Sequence, residues 1–161
     1  MNKAIVIGAS LSGKTTIIKY LRTNTELLVS EIDEELTVLN NGEFPKDPQY
    51  KNEVLFPKVL EKILNSKNIV FFTNTWYFTI KDLQEARAKG FKIIQLSLSL
   101  DTLLRRNRER VTEGYDNMEK YLKGMIEYQE MIKTRGMVDY VINGDQSVER
   151  IFSKLISVFE N

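Results

Sequence analysis

Between Ala4 and Tyr20 the chain reads AIVIGASLSGKTTIIKY, and this stretch constrains the fold more than any other. Ala4 to Ile7 is apolar and mostly β-branched, which predicts a short buried strand. The loop Gly8-Ala9-Ser10-Leu11-Ser12-Gly13-Lys14-Thr15 follows, with the spacing GxxxxGKT. The first turns of a helix are predicted next, from Gly13 to about Arg22. A strand that turns sharply into a helix can aim several backbone N–H groups at one point. Together with the helix N-terminus they form a cradle for phosphate oxygens. Gly8 and Gly13 supply conformations or clearances that a Cβ would obstruct. Lys14 can place its ammonium on β- and γ-phosphates, and the Thr15 hydroxyl can coordinate Mg²⁺.

Several function classes are excluded by what the chain lacks. It has no cysteine, so a disulfide scaffold, a thiolate metal site and a cysteine nucleophile are ruled out. It has no histidine, so proton transfer falls to a carboxylate, Lys, Tyr or water. Lys+Arg 23 against Asp+Glu 22 gives no basic excess, and a nucleic-acid partner is not expected. No apolar run approaches the ~20 residues that span a bilayer, and the first residues lack the form of a signal peptide. A soluble, cytoplasmic protein without membrane contact is the expectation. The oligomeric state is left open.

Strands and helices alternate along the 161 residues. Further strands are predicted over Glu26–Ile32, Ile69–Thr73, Phe91–Leu98 and Val138–Ile142. Helices are predicted over Glu53–Leu64, with Pro57 as a later start or a kink, and over Thr79–Lys89, where Thr79 and Asp82 fit a reciprocal cap. Others are predicted from Ser99 to Val111, from an Asp116 and Glu119 cap to Thr134, and from an Asp145 cap to Phe159. This order predicts an α/β protein: one domain over residues 1–161, with a five-stranded parallel sheet and helices on both faces in three layers.

Taken together, the phosphate loop Gly8–Thr16, the acid Asp33 after the second strand, the arginine helix Leu100–Arg110 and the segment VDYVIN (138–143) resemble the nucleoside monophosphate kinase-like group of P-loop kinases. Adenylate, shikimate and gluconate kinases belong to this group. The resemblance covers nearly the whole length and implies the strand order 2-3-1-4-5. It implies an enzyme that uses ATP and Mg²⁺ to move the γ-phosphoryl group to a small-molecule acceptor. A nucleoside monophosphate acceptor and a non-catalytic ATP-binding module are the alternatives.

The roles follow by resemblance. Gly8, Ala9, Ser10, Leu11, Ser12, Gly13, Lys14, Thr15 and Thr16 hold the nucleotide, with Thr16 at the α-phosphate. Asp33 stands near the metal and the acceptor hydroxyl, and shares Mg²⁺ with Thr15, while Glu31 or Glu34 can take part in the role. Arg106 stacks on adenine and Arg110 reaches the phosphates; Lys14, Asp33 and Arg110 carry the catalysis. Trp76 is a candidate acceptor contact. A segment about 34–65 covers the acceptor and a short lid spans about 106–120. Two departures stand out. Leu11 occupies a place where adenylate kinases usually carry glycine, and no arginine follows the third strand, where those kinases hold the acceptor's phosphate.

Overall fold

The computed structural model describes residues 2–160. Five parallel strands form one sheet in the order β2-β3-β1-β4-β5. They are β1 (Lys3–Gly8), β2 (Val29–Glu31), β3 (Ile69–Thr73), β4 (Lys92–Ser97) and β5 (Tyr140–Asn143). β1 lies in the middle and pairs with β3 on one side and β4 on the other, with Ile5 opposite both Phe71 and Ile93. Its residues Ala4 to Ile7 are fully buried, as a strand covered on both faces requires.

Period-two alternation divides the core between the faces. Ile5, Ile7, Phe71 and Ile93 pack on one face against α2 (Ile32–Leu39), α4 (Phe56–Leu64), α5 (Ile80–Ala88) and the C-terminal part of α7 (Glu119–Thr134). Ala4, Val6, Val70, Phe72 and Ile94 pack on the other against α1 (Lys14–Asn24) and α8 (Val148–Glu160). A third cluster joins Ala9 and Leu98 at the strand ends to Leu103 of α6 (Leu100–Thr112) and Leu122 and Met125 of α7. No described helix is long and apolar enough to cross a membrane.

Local chemistry explains where several elements end. Thr79 and Asp82 form a full capping box at the start of α5, and Ser99 caps α6 through the Thr102 N–H. Other boundaries differ from the sequence expectation. The second strand is only Val29–Glu31, because Glu31 turns out of the sheet and accepts the Glu34 N–H as the cap of α2. The helix expected from Glu53 starts earlier, with a short α3 (Pro48–Tyr50) capped by Asp47. A π-helical segment, Lys51–Leu55, then runs into α4 without a break, and its wider turn, with the Phe56 N–H on the Lys51 carbonyl, accommodates Pro57.

Asp116 does not cap α7. Met118 holds the cap position, and Asn117 accepts the Glu119 N–H while bridging to the buried Asn107. Asp139 lies outside β5: its carboxylate accepts the Ile93 N–H and pairs with Arg87 at 2.9 Å, tying the start of β4 to α5. Asp145 gives way to Ser147, whose hydroxyl accepts the Arg150 N–H at the start of α8.

Two stability outcomes follow. Phe71 is fully buried at the centre of its face, so Phe71→Ala lowers the unfolding free energy by about 3–5 kcal/mol. Thr79→Ala removes one half of the capping box and lowers it by about 1 kcal/mol. Urea unfolding followed by circular dichroism measures both.

Candidate active site

Every strand of a parallel sheet ends on the same edge. Here the loops after β1, β2 and β3 meet there and, with α6 and the turn beyond it, enclose a cleft of about 510 Å³. Ligands bind at this edge in open α/β sheets. The residues Ser10 to Thr16 form its floor, with Glu31 and Asp33 on one side and Arg106, Arg110 and Tyr115 on another.

The two glycines of the loop do different work. A Cβ on Gly8 would stand 2.6 Å from the Ser12 hydroxyl and 3.3 Å from the Lys14 stem, so Gly8 provides clearance. Gly13 has φ 89° with open space around it, so it provides conformation. Leu11 also adopts a left-handed backbone, φ 69°, at a cost of about 1–2 kcal/mol for a residue with a Cβ. Two contacts hold it there. Its side chain packs on the Leu103–Leu122–Met125 cluster, and its carbonyl accepts the Arg106 guanidinium at 2.9 Å.

The Lys14 ammonium donates to the carbonyls of Gly8 at 2.5 Å and Ala9 at 2.9 Å. Burial removes its hydration and pulls its pKa down from 10.5 to about 8, against the opposing charges of Glu31 and Asp33. The Ser12 hydroxyl is buried without a hydrogen-bond partner, inside a loop that Gly8 keeps open. A desolvated cation, an orphaned hydroxyl and the N-terminus of α1 meet in one place. This donor set fits an anionic group of phosphate type.

Four acids lie at or after the end of β2, and packing sorts them. Glu34 forms a fork with Arg22 at 2.6 Å, which holds its carboxyl below the usual range. Glu35 accepts Lys62 and the Ser30 hydroxyl, both at 2.6 Å. Glu31 and Asp33 instead face the cleft. Burial raises the pKa of both; Lys14 and Lys51 act against this at Asp33, and Asp33 adds to it at Glu31. Asp33 sits in the first turn of α2 rather than at the tip of a strand. Among the described residues no three acids gather into a metal cage. The set present is one hydroxyl and one or two carboxylates beside a phosphate cradle, and Mg²⁺ in phosphoryl-transfer sites is usually held by that kind of set together with phosphate oxygens.

The structure brings Ser10 to Thr16, Asp33, Arg106 and Arg110 together in the cleft. Arg110 stacks on the Tyr115 ring with its guanidinium carbon 4.1 Å from the centroid. Gly8 and Ala9 lie behind the loop, where their carbonyls hold Lys14. Trp76 is not part of the cleft lining. It is half exposed, has φ 75°, and lies against Gly124 of α7. Its neighbours divide: Phe78 is core, edge-on to Phe56, while Tyr77 is pushed up to about 12 by burial and by the charges of Asp33 and Glu31.

Asn74, Tyr115 and Glu109 line the cleft although the sequence did not single them out as site residues. Asn74 donates to the Ser10 hydroxyl at 3.0 Å and so joins the loop after β3 to the phosphate loop. Its position directly after an apolar strand was the available signal; an uncharged residue there hid it.

No family model matches the chain, and no curated protein matches it. Solved structures do. Shikimate kinase of Aquifex aeolicus superposes with a TM-score of 0.76 at 19% identity, over 98% of this chain and 96% of that one. The fold is that of the P-loop kinases. Shikimate kinase of Acinetobacter baumannii, solved in complex with shikimate, gives 0.74 at 16% identity, over 99% and 92% of the two chains. A gluconokinase of Sinorhizobium meliloti gives 0.65 at 16%, over 97% and 90%. The strand order that the sequence resemblance implied is the order observed in this P-loop kinase fold.

The Lys14 shift has a signed consequence. Between pH 8 and 10.5 the unfolded chain keeps a proton that the folded chain has released, so this group makes stability rise with pH across that window. Below pH 8 both forms hold the proton and the cost of burying the ammonium is complete. Lys14→Met therefore raises the thermal midpoint at pH 7 by a few degrees, and the gain shrinks toward pH 10. Scanning calorimetry at both pH values checks this.

Proposed function

We propose that this protein is an ATP- and Mg²⁺-dependent phosphotransferase that passes the γ-phosphoryl group to a hydroxyl of a small-molecule acceptor. One observation supports this above the rest: of the four acids at or after the end of β2, the two outside the ion pairs, Glu31 and Asp33, open onto the same cleft as Lys14 and Thr15. A phosphate cradle alone binds nucleotide. A phosphate cradle facing unpaired carboxylates has the parts for transfer as well.

Mg²⁺·ATP, when bound, would supply the phosphoryl group and positive charge to offset that of its phosphates. The Gly8–Thr16 loop orients the phosphates, and Lys14 adds a cation that two loop carbonyls already hold in place. Thr15 and a carboxylate of the Glu31–Asp33 pair would hold the metal. Asp33 orients the acceptor hydroxyl and takes its proton as the oxygen attacks. Arg110 adds positive charge to the transferring group, and Arg106 fixes the loop through the Leu11 carbonyl. The residues about 106–120, which carry Arg110 and Tyr115, act as a short lid, and the segment about 34–65 covers the acceptor.

A nucleoside monophosphate acceptor is less well supported. Its phosphate needs a cationic seat; Asn74-Thr75-Trp76 directly after β3 offers none, and the Arg87 guanidinium is engaged by Asp139 at 2.9 Å and by the Gly136 carbonyl at 2.8 Å.

The test follows ADP release by purified protein with Mg²⁺·ATP and a panel of hydroxylated small molecules and nucleotides. Lys14→Ala abolishes acceptor-dependent release. Asp33→Asn lowers kcat by about 10²–10⁴-fold while nucleotide affinity changes little. Nucleotide binding with no acceptor-dependent release across the panel would contradict the proposal in favour of a binding module.

A further inference from the structure

Trp76 is the chain's one tryptophan, and its placement is costly on two counts. Its backbone is left-handed at φ 75°, a conformation that side chains with a Cβ rarely adopt. Its ring also lies where α7 carries a glycine in mid-helix. A Cβ on Gly124 would stand 2.9 Å from the indole Cζ2, closer than carbon atoms pack. Glycine inside a helix is unfavourable relative to alanine, so α7 gives up helix stability to leave this notch. Yet the residue stays half exposed, so the arrangement does not serve to bury it.

The position of the loop indicates what the exposed half serves. Two residues before Trp76, Asn74 lines the cleft and bonds Ser10 of the phosphate loop. One residue after it, Tyr77 lies close enough to Asp33 and Glu31 to feel both charges. Tyr77 also carries the Lys51 ammonium over its ring at 5.4 Å, and Lys51 acts in turn on Asp33. Trp76 therefore sits in the chain between Asn74, which lines the cleft, and Tyr77, which feels the carboxylates, and its indole stands against Gly124 just outside the cleft lining. Strained backbone kept at such a border is characteristic of ligand clamps.

We infer that Gly124 is a positioning residue that seats the Trp76 indole as a wall of the acceptor site, and that the acceptor is a ring-bearing hydroxylated molecule whose flat face lies on that indole. A large rigid aromatic face selects a flat apolar surface such as the C–H face of a ring, and offers little to a flexible acyclic polyol. The inference rests on the phosphotransferase reading and names its substrate class.

The test compares wild type, Trp76→Ala, Gly124→Ala and the double variant Gly124→Ala/Trp76→Phe. Each is assayed for ADP release with Mg²⁺·ATP and shikimate or myo-inositol as cyclic acceptors, and gluconate or glycerol as acyclic ones. Affinity for a fluorescent ATP analogue and acrylamide quenching of the tryptophan are measured alongside. In Gly124→Ala the new methyl displaces the ring, so quenching by acrylamide increases although alanine favours the helix. Expected with it are a preference for a cyclic acceptor in the wild type, a rise in its KM of about tenfold in both single variants, unchanged kcat and unchanged nucleotide affinity. The smaller ring of the double variant clears the methyl and restores most of the lost KM, which a purely structural role for Gly124 would not do.

A cyclic-acceptor KM unaltered in Gly124→Ala, despite increased quenching, overturns the inference and leaves the phosphotransferase reading intact. So does a wild-type preference for the acyclic acceptors. Nucleotide binding without release on any acceptor overturns the phosphotransferase reading, and this inference with it.

Discussion

A partly buried ammonium at the end of the most enclosed strand is the interaction on which the rest of this site depends. β1 is hydrogen-bonded on both sides and covered on both faces, so the loop that leaves it has a fixed starting point and direction. That loop folds around the Lys14 side chain, whose charge is held by two carbonyls of the loop itself and faced by Glu31 and Asp33. Holding a cation out of water destabilises the fold, and the same desolvation strengthens its pull on an arriving anion. Stability and affinity are set against each other at one side chain, a common arrangement at sites built for function.

The surroundings of Lys14 are organised by parallel topology. Because every strand ends on one edge, the loops after β1, β2 and β3 meet without any long excursion of the chain. The acids after β2 illustrate how packing then selects. Arg22 and Lys62 neutralise Glu34 and Glu35 away from the cleft, which leaves two carboxylates toward it. α6 and α7 close the other side. They support the left-handed Leu11 through a hydrogen bond and an apolar cluster, so the phosphate loop and the arginine helix form one mechanical unit.

The architecture was legible because its determinants are local in sequence. Apolar runs such as Ile69–Thr73, caps such as Thr79 with Asp82, and the glycine spacing from Gly8 to Gly13 each state their own conformation. Misplaced boundaries have a common cause: a long-range partner overrode the local signal. Asp139 was read as part of a strand because its neighbours are apolar, but it is held by the Ile93 N–H and by Arg87, both distant in sequence. Asp116 fits a cap pattern, but the buried Asn107 organises that turn through Asn117. In the cleft, the phosphate loop was legible as a motif. Which of four acids would stay unpaired was not, because that depends on Arg22 and Lys62, which come from two other helices. Asn74 was missed for a related reason: its contact with Ser10 spans 64 positions.

Transfer of a phosphoryl group from a nucleotide to a second molecule is the chemistry proposed for the cleft. Phosphorus NMR of the protein with Mg²⁺·ATP and an acceptor from the panel observes that transfer directly. A transferring cleft gives loss of the γ-phosphorus resonance, growth of ADP, and a new phosphate monoester resonance in equal amount, all absent with Lys14→Ala. ADP that appears only together with inorganic phosphate, or an ATP spectrum that does not change with any acceptor, would contradict it.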